Sequence, residues 1–92
     1  MPQYFEKMSA LLKGLQSPVR LRIVQVLSNR ACSVEELSQL IYEPLANTSQ
    51  HLQKMKFAGL VEVTKNGNHR TYQISQPEVI SFWLSFPIAI SY

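Results

Sequence analysis

Apolar residues near the start of the chain return on one helical face. Tyr4, Phe5, Met8, Leu11, Leu12 and Leu15 fall at i, i+1, i+4, i+7, i+8 and i+11, and Glu6, Lys7, Ser9 and Lys13 take the rest of the wheel. That spacing predicts an amphipathic first helix. Ser17-Pro18 predicts the start of a second, because Ser accepts an otherwise orphaned N–H and Pro at the first helical position has none to lose. This helix runs to about Ser28, and its Val19, Leu21, Ile23, Val24, Val26 and Leu27 cover more than one face, which places it in the middle of the core. Ser33-Val34-Glu35-Glu36 fits a capping box opening a short third helix with Val34, Leu37, Leu40 and Ile41 inward. Pro44 breaks the pattern before a fourth helix that begins near Leu45 and stops at Gly59, a residue that tolerates positive φ.

Residues 60–65 and 69–75 are rich in Val, Thr, Tyr and Ile and are joined by Asn66-Gly67-Asn68, a hairpin signal because these residues accept the backbone of a tight turn. Val61 and Val63 share one face, as do Tyr72 and Ile74. A short strand is expected at 31–33, and Gln76-Pro77-Glu78 opens a fifth helix that Pro87 ends. The order is ααααββα, mainly α with a β-hairpin. Two helices joined by a tight turn and followed by a hairpin read as a winged helix-turn-helix, one domain over residues 1–92.

Composition narrows the classes. A chain of 92 residues is one domain with a small core, and 46% apolar against 16% charged residues excludes collagen-like, coiled-coil and disordered classes. The single cysteine, Cys32, forms no internal disulfide, and with no basic-then-apolar leader the expected location is the cytoplasm. The longest apolar stretch, 79–90, is broken by Ser81, Ser85 and Pro87 and falls short of the ~18 residues of a membrane span. The net charge of +3 is concentrated. Residues 45–75 carry Lys54, Lys56, Lys65 and Arg70 against Glu62 alone, and local positive charge of this kind attracts polyanions such as nucleic acid.

The fourth helix is the strongest candidate for carrying function. Leu45, Thr48, Leu52 and Met55 make an inward stripe, which turns Ala46, Asn47, Ser49, Gln50 and Gln53 outward near the helix start. Asn and Gln carry both donor and acceptor and match adenine bidentately, so Asn47 and Gln50 are candidate base readers, while Ser49 suits phosphate. His51 and Lys54 on the same helix, and Lys65, His69 and Arg70 around the hairpin turn, complete a candidate set for double-stranded DNA, with the hairpin on phosphate or in the minor groove. The competing readings are a plain polar helix face, and packing rather than phosphate contact for the two histidines.

Residues 12–75 resemble the ArsR/SmtB family of bacterial winged-helix repressors. Ser17-Pro18-Val19-Arg20-Leu21-Arg22-Ile23 is similar to the family's helix-2 opening, Ser49-Gln50-His51-Leu52 to its recognition helix, and Ala58-Gly59-Leu60-Val61 to the step into the wing. The stretch Ala46 to Gln53, with Pro77-Glu78-Val79 through Trp83 downstream, resembles the subgroup in which this domain precedes a rhodanese domain. The chain departs from the pattern in two places. Tyr42 stands where the turn usually has Gly and Glu43 where it usually has an apolar residue, and Ser33 and Glu35 occupy the places of the metal sensors' Cys-x-Cys pair, with Cys32 one position off.

The resemblance implies a dimeric DNA-binding repressor. The alternative is a winged-helix interaction module that regulates a sulfurtransferase partner without a DNA target of its own. No metal or other cofactor is expected: one Cys and two His at unrelated spacings do not make a zinc-like donor set. Cys32 reads as a small buried thiol, with pairing to its copy or redox sensing as the other options. Catalysis has no support, since no activated nucleophile or Gly-rich phosphate loop is present, so an enzyme is not expected. A homodimer is expected through the first and fifth helices, using Tyr4, Phe5, Met8, Leu11, Val79, Phe82, Trp83 and Phe86, because this is more apolar surface than one small core covers.

Overall fold

Local signals place the helix boundaries, and the computed structural model shows those of the second, third and fourth helices in use. It describes residues 2–77, apart from the side chains of Pro2, Tyr4, Lys7, Met8 and Leu11. The expected fifth helix, with Val79, Phe82, Trp83 and Phe86, lies outside the described residues. The elements are α1 (Pro2–Lys13), α2 (Pro18–Leu27), α3 (Val34–Leu40), α4 (Leu45–Phe57), β1 (Val61–Asn66) and β2 (His69–Ile74). Among the described residues no helix is long and apolar enough to cross a membrane.

Ser17 caps α2 by accepting from the Arg20 amide, with Pro18 at the first helical position. The capping box of α3 is complete: the Ser33 hydroxyl accepts from the Glu36 N–H at 3.1 Å, and the Ser33 N–H donates to the Glu36 carboxylate at 2.9 Å. The amide bond from Ser33, with help from Arg30, holds the Glu36 carboxyl below the usual glutamate value against the opposing pull of desolvation. At the end of α4, the Leu60 N–H reaches the Met55 carbonyl and the Gly59 N–H the Lys56 carbonyl, with Gly59 at φ +82°. This pair of bonds is the Schellman closure, and the left-handed conformation it needs is why a glycine stands there.

β1 and β2 pair antiparallel, Val63 opposite Tyr72 and Lys65 opposite Arg70, around a two-residue turn. Gly67 has positive φ and Asn68 does not, the sign pattern of a type II′ turn. Val61 and Tyr72 bury their side chains on the helices, which leaves the opposite face and the tip of the hairpin to solvent. The expected strand at 31–33 reduces to one bridge, in which Cys32 and Tyr72 exchange both backbone hydrogen bonds. That bridge ties the start of α3 to the hairpin.

The core lies between α2, α3, α4 and the hairpin, with Ile23, Leu37, Leu52 and Met55 fully buried. Three apolar assignments from the periodicity need correction. Leu40 is 50% exposed, because α3 ends there and Ile41, four residues after Leu37, takes the inward place. Leu45 is 48% exposed: it is the first residue of α4, and the buried stripe of that helix begins about one turn later, at Thr48. Leu21 is partly exposed, on the outer side of α2. Thr48 is buried as expected, with its hydroxyl donating to the Pro44 carbonyl at 3.0 Å.

Candidate nucleic-acid interface

The outer face of α4 is polar between its ends, where Leu45 and Phe57 are themselves exposed. Ala46, Gln50, Gln53 and Lys54 are exposed, and Asn47, Ser49 and His51 are half-buried at its margins. Pro44 is the N-cap and offers no side-chain bond, so the first amides of α4 are not closed off by a capping hydroxyl or carboxylate. Uncapped amides at a helix start are donors for an anion, and the helix dipole favours negative charge there.

The turn that delivers α4 is held from both sides. Tyr42 has φ +58°, the left-handed conformation that glycine adopts without strain, and its side chain is 93% exposed. The departure from glycine at this place therefore leaves the turn geometry intact. Next to it, the Glu43 N–H donates to the Ser38 carbonyl at 3.1 Å and the Ser38 hydroxyl donates to the Glu43 carbonyl at 2.6 Å. The Glu43 carboxylate accepts from the Arg22 guanidinium at 3.1 Å and from the Asn47 carboxamide at 2.8 Å. Asn47 is thus not a free side chain on the helix surface but one end of a link from α2 through the turn to α4.

His51 is likewise engaged. Its Nδ1 accepts from the Arg20 Nε at 3.1 Å, and a second Arg20 nitrogen donates to the Gly14 carbonyl at 3.1 Å. Burial first, and then the charges of Arg20 and Lys54, hold the imidazole below the usual histidine value, while Glu43 acts in the opposite sense. A neutral imidazole accepting at Nδ1 joins α2 to α4, which is the packing role among the readings open for this residue.

The hairpin tip carries Lys65, His69 and Arg70, all exposed. Lys65 and Arg70 sit directly opposite each other, so their like charges repel across the strand pair unless an anion lies between them. The ion pairs among the described residues are Arg22–Glu43 and Arg30–Glu36, so Lys54, Lys56, Lys65 and Arg70 are available to an external partner. Cys32 is fully buried, with its thiol toward the Arg30 carbonyl. It does not converge with His51 or His69, and among the described residues no three His, Cys, Asp or Glu side chains cluster.

The sequence pattern put Gln50, Gln53 and Lys54 on the exposed face of α4 and the wing residues on an exposed hairpin tip, but it missed Arg20, Arg22, Ser38 and Glu43. The signal for Glu43 was present: an acid at a place where the resembling family carries an apolar residue. Arg20 and Arg22 had no comparable signal, since an arginine on a helix surface is ordinary.

Residues 15–64 match the model of a helix-turn-helix domain family. The chain is 31% identical over 69 residues to the transcriptional regulator KmtR of Mycobacterium tuberculosis, covering 75% of this chain and 53% of KmtR. It is 35% identical over 65 residues to the transcriptional repressor SmtB of the same species, covering 71% of this chain and 48% of SmtB. The chain therefore spans about half the length of these relatives. The fold superposes on the homodimeric winged helix-turn-helix DNA-binding domain of Mb0332 from Mycobacterium bovis with a TM-score of 0.78 and 26% identity, over 88% of this chain and 75% of that one. A helix-turn-helix at 15–64, a wing at β1–β2 and these relatives together place the chain in the ArsR/SmtB family of winged-helix transcriptional regulators.

Proposed function

We propose that this chain binds double-stranded DNA as a homodimer and represses transcription from the cytoplasm. The observation that carries the reading is the uncapped start of α4, together with a hairpin tip whose Lys65 and Arg70 have no ion-pair partner among the described residues. The start of a recognition helix is the part that enters the major groove in helix-turn-helix proteins, and the wing cations then fall on the flanking backbone. Gln50 and Asn47 read base edges, and Ser49 with the first amides of α4 contacts phosphate. Ala46, Gln53 and Lys54 line the same face, Lys65, His69 and Arg70 form the wing contact, and His51 contributes through α4 packing. SmtB carries the name of a repressor, and the Mb0332 domain is homodimeric, which supports the same assembly here. The resemblance to regulators that precede a rhodanese domain rests on residues 46–53 and 77–83 alone.

Binding to random and selected duplexes over a salt series tests the reading. Lys65→Ala and Arg70→Ala are each expected to weaken both DNAs about equally and to lower the log–log salt slope by roughly 0.9 for one lost phosphate contact. Gln50→Ala is expected to weaken the selected duplex while sparing the random one, by about 1 to 3 kcal/mol for a bidentate base contact. No measurable duplex binding by the wild-type chain at low salt would overturn the proposal.

A further inference from the structure

Glu43 places an acid on a face otherwise suited to a polyanion, and the geometry around it gives the acid a task. Its backbone is clamped by both hydrogen bonds to Ser38, and its side chain is only 20% exposed. One carboxylate oxygen is occupied by Arg22, which offsets the charge that would repel phosphate and stops the carboxylate from swinging away. The other oxygen lies 2.8 Å from the Asn47 carboxamide. A carboxylate only accepts, so the atom facing it has to be the amide nitrogen; the flipped amide would set two acceptors against each other.

From this we infer that Glu43 is a positioning residue for base specificity, holding Asn47 in one of its two amide flips. The inference rests on the reading of α4 as the DNA-contacting helix. In the held flip, Asn47 keeps its carbonyl oxygen and one N–H, the acceptor–donor pair that matches N6 and N7 of adenine. Guanine presents two acceptors, O6 and N7, and is met by turning the NH2 group to the groove, which Glu43 opposes. The acid thereby selects adenine over guanine without touching the DNA.

The test is selection from a pool of randomised duplexes by the full chain, comparing wild type, Glu43→Gln, Asn47→Ala and the double variant. The position whose base preference disappears in Asn47→Ala is the one Asn47 reads, and wild type is expected to choose adenine there. Glu43→Gln, whose side chain both donates and accepts, is expected to lower the adenine preference about tenfold. Random-duplex affinity should rise about two- to fivefold, as one acid is removed and Arg22 is released. In the Asn47→Ala background, Glu43→Gln should leave base preference unchanged. An undiminished adenine preference in Glu43→Gln, or a parallel loss on every duplex, overturns the inference while the DNA-binding reading stands. Wild type that binds no duplex overturns both. In the free protein, the Asn47 side-chain amide protons are expected to exchange with solvent faster in Glu43→Gln, and unchanged exchange overturns the lock without any DNA present.

Discussion

Tyr42 keeps a backbone conformation that its residue type would not choose in isolation, and His51 keeps its neutral form to lower pH than a free imidazole does. A non-glycine residue in the left-handed region costs on the order of 1–2 kcal/mol, and at 93% exposure the Tyr42 ring recovers little of that by packing. Tyr42→Gly is expected to raise stability by up to about 1 kcal/mol after the extra unfolded-state entropy of glycine is subtracted, read as a higher denaturant midpoint. His51 works through a proton. Its folded value lies below the ordinary 6.5, so between the two values the unfolded chain binds more protons than the folded one. Stability is expected to fall as pH drops through 6.5 toward the folded value, and Arg20 to lose its acceptor at the same time. Denaturation midpoints of wild type and His51→Gln at several pH values check this, because the variant should lack that slope. A separate loss belongs to Glu36, whose lowered value puts its contribution above about 4.5 and removes it as pH falls further.

Among the helices, α3 and α4 differ in how they begin, and the difference divides structure from function. α3 opens on a complete capping box and has its Glu35 and Glu36 in the first turn, so it is closed and stable at that end. α4 opens on Pro44 with its amides uncapped and no acid in the first turn, the state suited to an incoming phosphate. Ser33→Ala is expected to cost about 1 kcal/mol of folding stability and to leave affinity for DNA unchanged at temperatures where the chain is folded. Gly59→Ala is expected to cost about as much, because alanine has to adopt φ +82° to keep the Schellman closure. Thermal denaturation of the two variants, beside duplex binding, separates loss of fold from loss of contact.

At the scale of the molecule, the proposed homodimer turns one recognition helix into a two-fold pair suited to two half-sites. Phe5 is exposed on α1, and the sequence expectation adds the apolar residues at 79, 82, 83 and 86 to the proposed pairing surface. A dimeric mass is expected at micromolar concentration by sedimentation, and Trp83→Glu is expected to shift it to monomer and to weaken operator affinity more than random-duplex affinity. A monomeric wild-type mass would refute the pairing.

The boundaries of α2, α3, α4 and the hairpin could be read from residues a few positions apart: Ser17 with Pro18, Ser33 with Glu36, Gly59 after Lys56, and Asn66-Gly67. Caps and turns are closed by local hydrogen bonds, so the chain carries their instructions within one turn of helix. The outward face of α4 followed from helical period in the same way, which is why Gln50, Gln53 and Lys54 stand where the pattern put them. Leu40 and Leu45 did not, because periodicity gives a stripe its direction around a helix but not the point along the axis where the core stops. The links Arg20–His51 and Arg22–Glu43–Asn47 were equally out of reach, since they join residues up to 31 positions apart. Whether an arginine of α2 meets a histidine or an acid near α4 depends on how the two helices cross, and that crossing is set by the packing of Ile23, Leu37, Leu52 and Met55.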